Sequence, residues 1–445
     1  MKSLDQHPTV QRIRQQPPTN TETPRSVSAA WLKQLALDSG ADDAAVVRLD
    51  RADLAGARSE ILPLFPKAKT LVSLVLGMNR ESIRTPARSV ANVEFHHTTD
   101  EVNAVGHRIV RACQERGIAA LNATAGFPME AERFGSKMWV VSHKPVAVAA
   151  GLGHMGIHRN VIHPKFGNFI LLGTVILEVE VDEQAQPVSY NPCLECKLCV
   201  AACPTGAIGS DGHFNFSACY THNYREFMGG FADWVETIAD SRSAADYRKK
   251  MTPQESVSMW QSLSFGANYK AAYCMAVCPA GEDVIRPFLD DRTEFLDGVV
   301  RPLQEKKETV YVLADSDAEA YVQRRFPHKR TKRVHNGLRA PSIARFLAGM
   351  PLTFERGRST GLTATLHFTF TGRESQRATV IIRDQTLQVL EGHEGNADVE
   401  VTADSATWLK FLSGEAHIVW ALLRRKIRLK GSPRVLLAFG KCFPR

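Results

Sequence analysis

The sequence predicts a multidomain fold of mixed α/β and α+β character, with three units in series. Three observations lead to it. The chain has 445 residues, 44% apolar and 23% charged, which is enough for two or three separate cores. Seven of its nine cysteines fall between Cys193 and Cys278, setting apart a metal-rich middle. Near the end, TATLHFTFT (363–371) alternates strictly, with Leu366, Phe368 and Phe370 on one face and Thr365, His367 and Thr369 on the other, the period of a half-buried strand.

The opening residues, MKSLDQHPTVQRIRQQPPTNTETPRS, are rich in Pro, Gln and Thr, and residues 1–28 read as a mobile tail. They contain no apolar signal region and no twin arginine, and the chain has no run of about 18 apolar residues that could span a bilayer. The reading is a cytoplasmic protein with no transmembrane segment.

In a cytosolic chain, clustered cysteines argue for metal rather than disulfides. Cys193, Cys196, Cys199 and Cys203, followed by Pro204, give the C-x2-C-x2-C-x3-C-P run of bacterial ferredoxins. Two-residue gaps wrap a tight loop around one cubane, and the fourth cysteine serves the neighbouring cluster. Zinc needs only four thiolates and leaves the proline and the PTGAI continuation unexplained. Further on, Cys274-x3-Cys278-Pro279 supplies the reciprocal ligand: Cys278 completes a 4Fe-4S cluster on Cys193, Cys196 and Cys199. Cys203, Cys219 and Cys274 remain for a second cluster, three thiolates where four are expected, so that this site is 4Fe-4S with another ligand or 3Fe-4S. Tyr273, His222 or water are the candidates for the open corner. Cys113 and Cys442 stand apart and read as small buried apolar residues.

Upstream lies PVAVAAGLGHMGIHRNVIHPKFGNFILLGTVIL (145–177). Gly151, Gly153 and Gly156 satisfy G-x-G-x-x-G, with Glu178 and Glu180 following, but Pro164 comes eight residues after Gly156 and leaves no room for a crossover helix. A dinucleotide fold is therefore disfavoured. A glycine-lined turn can still bring backbone N–H groups close to a phosphate or a flat macrocycle.

The order GLGHMGIHRNVIHPKFGNFILLG, CLECKLCVAACPTGAI, the lone Cys219-Tyr220, then CMAVCP resembles the epoxyqueuosine reductases and, more distantly, the reductive dehalogenases, over roughly residues 30–290. The resemblance implies a nitroreductase-like α/β domain that holds a base-off corrinoid, cobalamin in type, over residues 29–187. It also implies a ferredoxin-like domain with two iron–sulfur clusters over 188–290. Gly151, Gly153, Gly156, His158 and Arg159 would lie near the corrinoid. The departures are specific. Where those reductases carry a catalytic acid in an Asp-Thr-Gly-Pro segment, this chain reads GSKMWVVSHKP, without a carboxylate. Ile157 replaces a lysine, His154 a tryptophan, and Ala271 a cysteine of the second cluster. A replacement proton donor must reach the substrate and titrate near neutrality. His143 is the first candidate, followed by His154, His158 and Tyr220. His158 and His163 have no further ligand at metal spacing.

Residues 291–335 read as a charged linker and 336–445 as a separate α+β module. After the alternating strand, RATVIIRDQTLQVLEG gives a hairpin and ADVEVTA another strand; Asp404 or Ser405 caps a helix that Gly414 ends, and AHIVWALL and KIRLKG follow. This order resembles the sterol carrier protein type lipid-binding domain, which encloses an apolar tunnel. Phe368, Phe370, Trp408, Phe411 and Trp420 would line the tunnel or fill the core.

Lys and Arg number 55 against 47 Asp and Glu, and much of the excess lies in RRFPHKRTKR (324–333) and LLRRKIRLKG (422–431). Such runs are first of all solvated surfaces, and nucleic acid is the less favoured partner. The expectation is an iron–sulfur oxidoreductase that takes electrons from a ferredoxin- or flavodoxin-type donor and passes them to a corrinoid to reduce an apolar or lipid-like substrate. The alternatives are a non-catalytic electron-transfer or redox-sensing protein with a lipid-binding module, and a reductase of a modified tRNA base.

Overall fold

The computed structural model describes residues 4–16, 24–133, 138–335, 337 and 339–444. The first unit is built on a four-stranded sheet in the order Asp43–Arg48, Thr70–Gly77, Ile170–Leu177, Ala120–Ala123, antiparallel at every pairing. Thr70–Gly77 and Ile170–Leu177 are apolar almost without interruption because helices cover both faces of the sheet. On one face Ala29–Asp38 and the 28-residue helix Arg88–Glu115 contribute Leu32, Ala36, Val102, Val105, Ile109 and Cys113. Their three- and four-residue spacing forms one apolar stripe. The other face is closed by Ala55–Ile61 and His143–Ala149 through Ile61, Val146 and Ala147.

Within the expected tail, residues 1–3 and 17–23 lie outside the described residues, the helix Pro8–Gln15 buries nothing, and Ser26–Val27 pairs with Glu180–Val181.

The middle of the chain is a set of helices, Leu198–Ala202, Phe216–Asn223, Gly229–Ala239, Ala244–Lys250, Pro253–Phe265 and Tyr273–Ala276. Residues 291–335 are not the linker that their charge suggests. Strands Thr309–Val312 and Arg330–Arg333 pair in parallel around the helix Asp317–Arg325. Phe295, Val300, Leu303, Val310 and Val322 enter the same core as Cys199, Cys203, Tyr273 and Met275. The charges misled because they are paired: Lys329 is 4% exposed and binds Leu303 O, Lys306 O and Glu308, while Lys332 binds Glu255 and Arg333 binds Glu319.

The C-terminal sheet runs in the order Thr386–Glu391, Gln376–Arg383, Ala364–Thr371, Val399–Asp404, Ile427–Gly431, with one parallel pairing, between the third and fourth strands. The hairpin turns on Asp384 and Gln385, both at positive φ. Asp404 caps Ser405–Leu412 by accepting from Thr407 N at 3.0 Å. Leu366, Phe368 and Phe370 face inward, and Phe368, Phe370 and Trp408 pack with ring centroids 5.8 Å apart, beside Phe411. These four belong to the core or pack against it. Trp420, read with them, is 62% exposed. Among the described residues, no helix is long and apolar enough to cross a membrane.

Candidate functional site

The two cysteine motifs adopt one repeated turn. Lys197 and Ala272 both sit at φ 60 in the left-handed region, each begins a short helix, and Cys203-Pro204 and Cys278-Pro279 close them. Cys196 and Cys199 thus correspond to Ala271 and Cys274. The helices Leu198–Ala202 and Tyr273–Ala276 pack on each other, so each motif's last cysteine is handed to its neighbour's loop.

Cys193, Cys196, Cys199 and Cys278 line one small cavity with Ile157, His158 and Leu194. Glu195 and Lys197, both at positive φ, fold the loop so that its three thiols face inward. Burial pushes the Cys199 thiol up and that of Cys278 to about 12, so these groups are protonated until a metal displaces the protons. Among the described residues, no three His, Cys, Asp or Glu side chains converge closely enough to hold a single ion. Thiols spread round a cavity suit a polynuclear cluster better than one zinc ion.

Cys203, Cys219 and Cys274 open with Ala271 onto a second cavity, of about 760 Å³, within the ordinary range of small-molecule sites. Cys219 is carried by Phe216–Asn223, whose N-cap Asn215 accepts from Ala218 N at 2.9 Å. Burial raises the Cys219 thiol and lifts Cys274 to about 11. Cys199 feels the charge of Cys274, so the two sets adjoin.

Two arginines that sequence reasoning missed stand beside the thiols. Arg84 Nε and Nη2, and all three guanidinium nitrogens of Arg88, are buried without a hydrogen-bond partner. Cys278 acts electrostatically on Arg84, and Tyr273, Glu308 and Cys274 act on Arg88. Arg84 also pairs with Glu81 through Nη1 at 3.5 Å. Buried guanidinium nitrogens without hydrogen-bond partners are costly; iron clusters on thiolates are anionic, so these groups fit them. Nothing in the sequence marks these arginines, because they approach from two helices, Arg80–Arg84 and Arg88–Glu115, and stand more than 100 residues upstream of Cys193.

His143 is not placed to donate a proton to the cavity. Its Nε2–H donates to Thr124 O and its Nδ1 accepts from Thr174 Oγ1, both at 2.9 Å. Burial lowers its pKa, and both ring nitrogens are committed. The adjacent Lys144 instead reaches the cavity, donating to Arg159 O at 2.8 Å and Asn160 Oδ1 at 2.9 Å, close enough to Cys274 and Cys219 to feel their charge.

The glycine turn also differs from expectation. A Cβ at Gly151 would overlap Gln186 O, one at Gly153 would overlap Ile162 O, and one at Gly156 would stand 2.8 Å from Ile162 Cδ1 and His158 Cε1. The glycines pack the hairpin His154–Met155/Val161–Ile162 against its own chain and present no cradle to a macrocycle. His158 and Arg159 do line the cavity, and His158 lines both cysteine cavities. Burial holds His158 down at about 4, so its ring is neutral. His163 is occupied by Asp43 and by the backbone N–H groups of Lys165 and Phe166. His154 Nδ1 lies 3.1 Å from Met155 O. Tyr220 lines the cavity, but its hydroxyl accepts from Gly229 N at 2.9 Å. Gly135, Ser136 and Lys137 lie outside the described residues.

Residues 353–444 match the SCP-2 sterol transfer family. The SCP-2 domain touches the cysteine-bearing part directly, through Glu355 with Asn215 and Arg356 with Asp211. The chain is also similar to epoxyqueuosine reductases. It is 35% identical to that of Lactococcus garvieae over 77 residues, 17% of this chain and 21% of the relative. It is 36% identical to that of Staphylococcus aureus over 80 residues, 18% and 20%. With the Escherichia coli enzyme it shares 28% over 102 residues, 23% and 26%. The matches thus span a fifth to a quarter of these relatives. Among solved structures, an epoxyqueuosine reductase with a tRNA-Tyr epoxyqueuosine-modified stem loop matches at TM-score 0.31 and 18% identity, over 45% of this chain and 57% of that one. A catabolic reductive dehalogenase in complex with 3-bromo-4-hydroxybenzoic acid matches at TM-score 0.37 and 12% identity, over 61% and 35%.

Proposed function

We propose that this chain is an iron–sulfur oxidoreductase that delivers electrons to a molecule held in the cavity beside Cys203, Cys219 and Cys274. The observation that carries the reading is the lining of that cavity, which brings the thiols together with Lys144, His158, Arg159 and Asn160. Cys193, Cys196, Cys199 and Cys278 would hold one cluster and the remaining three cysteines a second, each a one-electron carrier. Leu194, 43% exposed beside Cys193, marks the side from which a ferredoxin- or flavodoxin-type donor would reach the first cluster. Lys144 would orient an anionic or carbonyl group and supply the proton that accompanies reduction, its ammonium anchored by two acceptors with one N–H left for the cavity. The aromatic walls Phe127, Trp139 and Tyr224 would exclude water.

A corrinoid bound in this cavity would supply low-potential cobalt chemistry, with His158, Arg159 and Lys144 facing it and the glycine turn only supporting the wall. The SCP-2 domain would present an apolar or lipid-like substrate, each buried methylene contributing about 0.8 kcal/mol. Reduction of a modified tRNA base is the second reading. It is favoured by the epoxyqueuosine reductase relatives and the net charge of +8.

Iron and cobalt analysis of anaerobically purified protein, with its visible spectrum, tests the proposal. About seven to eight irons per chain are expected. Iron-free protein overturns the reading, and stoichiometric cobalt assigns the cavity to a corrinoid. Tight tRNA binding that weakens steeply with salt would move the substrate to nucleic acid.

A further inference from the structure

Resting on the two-cluster reading, we propose that the second cluster site keeps one coordination position free of protein ligands and open to the 760 Å³ cavity, where it binds an oxygen-bearing molecule directly.

The repeated turn identifies the missing ligand by position. Cys196 stands immediately before the left-handed Lys197 and three residues before Cys199; Ala271 stands immediately before the left-handed Ala272 and three residues before Cys274. A methyl group therefore stands where the first turn offers a thiol. The backbone there is held as a ligand loop would be, with Ala271 N donating to Asn223 Oδ1 at 2.9 Å. Ala271 lines the large cavity together with Cys203, Cys219 and Cys274, so the unliganded corner faces that space rather than packed protein.

Neighbouring side chains are poorly disposed to fill the corner. Tyr273 donates its hydroxyl to Glu308 Oε2 at 2.6 Å and accepts from Lys306 Nζ at 3.3 Å. His222 accepts at Nδ1 from the Tyr311 amide at 3.3 Å, and its Nε2 is buried without a partner; a neutral ring in that arrangement carries its hydrogen on Nε2 and has no lone pair there to give a metal. Both His158 nitrogens are engaged, Nδ1 by Asn160 N and Nε2 by the Asn168 amide, each at 3.1 Å. Cys113 and Cys442 are buried in the cores of the first sheet and of the SCP-2 domain.

What can reach the corner must come through the cavity, and the cavity selects it. Lys144 and Arg159 give the wall positive charge, Asn160 adds an amide, and Tyr220 and Tyr224 add aromatic surface. The ligand class is an alkoxide, carboxylate or similar oxygen anion on an apolar or aromatic body.

Cyanide is the probe. Full-length protein loaded with 57Fe under anaerobic conditions is reduced and examined by Mössbauer and EPR spectroscopy with and without cyanide, for the natural chain and for Ala271→Cys. In the natural chain one iron of one cluster should be distinct and should change on adding cyanide, and oxidation should yield a three-iron signal from that cluster alone. In Ala271→Cys, iron content should hold while the cyanide response and the three-iron signal are lost. About eight irons per chain with no cyanide response, or a response that survives in Ala271→Cys, overturns the open site and leaves the two-cluster reading intact. Nitrogen coupling from His222 in pulsed EPR of the natural chain also overturns it, without depending on the variant. About four irons per chain overturns the two-cluster reading itself, and the open site with it.

Discussion

Glu355 of the SCP-2 domain accepts a hydrogen bond from Asn215 Nδ2 at 3.0 Å, and Asn215 caps the helix that carries Cys219. The same carboxylate oxygen accepts from Asp317 N at 3.0 Å, while Oε1 is buried without a partner. Burial, then the neighbouring Asp317 charge, push the Glu355 pKa up to about 7. The folded chain therefore binds more protons than the unfolded one between the ordinary value of 4.5 and about 7, and stability falls as pH rises through that window. The expected outcome is a drop in unfolding midpoint from pH 5 to pH 8 that Glu355→Gln reduces. The difference should be at most about 3 kcal/mol. An equal pH dependence in both proteins, followed by circular dichroism, would count against the protonated carboxyl.

Arg88 should show opposite effects with and without iron. In protein stripped by chelator, Arg88→Met removes an unpaired buried cation and should raise the melting temperature. In loaded protein it removes charge compensation beside Cys274 and should speed iron loss. Melting curves and chelator-release rates on the same preparations check both signs.

For Lys144 the measurable consequence is a potential. Replacing it with Met removes a cation near Cys219 and Cys274 and should lower the reduction potential of the second cluster by on the order of 40 mV, about 1 kcal/mol per electron. Lys144→Arg should retain most of the natural value. EPR-monitored titration resolves the shift, and the first cluster serves as the internal control.

His143→Ala should cost stability and nothing else. Two hydrogen bonds to Thr124 and Thr174 are lost, together on the order of 2 kcal/mol. The potentials and iron content of the folded variant should match the natural protein. Loss of an ionisation from the pH profile of the second cluster's potential would instead tie the ring to the site.

Replacing Gly153 with Leu should unfold the hairpin of the first unit and lower iron retention with it, since the added Cβ meets Ile162 O. Circular dichroism and iron content measured together distinguish this from a defect confined to cavity ligands, which would leave the iron in place.

Local rules carried the sequence reading a long way. Alternation in TATLHFTFT named the buried face of the central C-terminal strand, because side chains two residues apart share a side of the pleat, and Asp404 and Gly414 marked the ends of the following helix. The cysteine spacings paired Cys278 with Cys193, Cys196 and Cys199, because a loop of fixed pitch offers its thiols to one object. Partnership across distance was beyond such rules. Whether Lys329 is a solvated charge or a buried one depends on Glu308 and two carbonyl groups. Whether His143 is an acid or a strut depends on Thr124 and Thr174, and the glycine turn has the same composition whether a ligand or Gln186 fills the space above it. Lys144, beside a more conspicuous histidine, joined Arg159 in the cavity wall only once the sheet and the cysteine helices closed around it. Sequence determined which residues could bind, bend or alternate; tertiary structure decided which of them already had partners, because a polar group's role depends on what remains unsatisfied after the chain has packed.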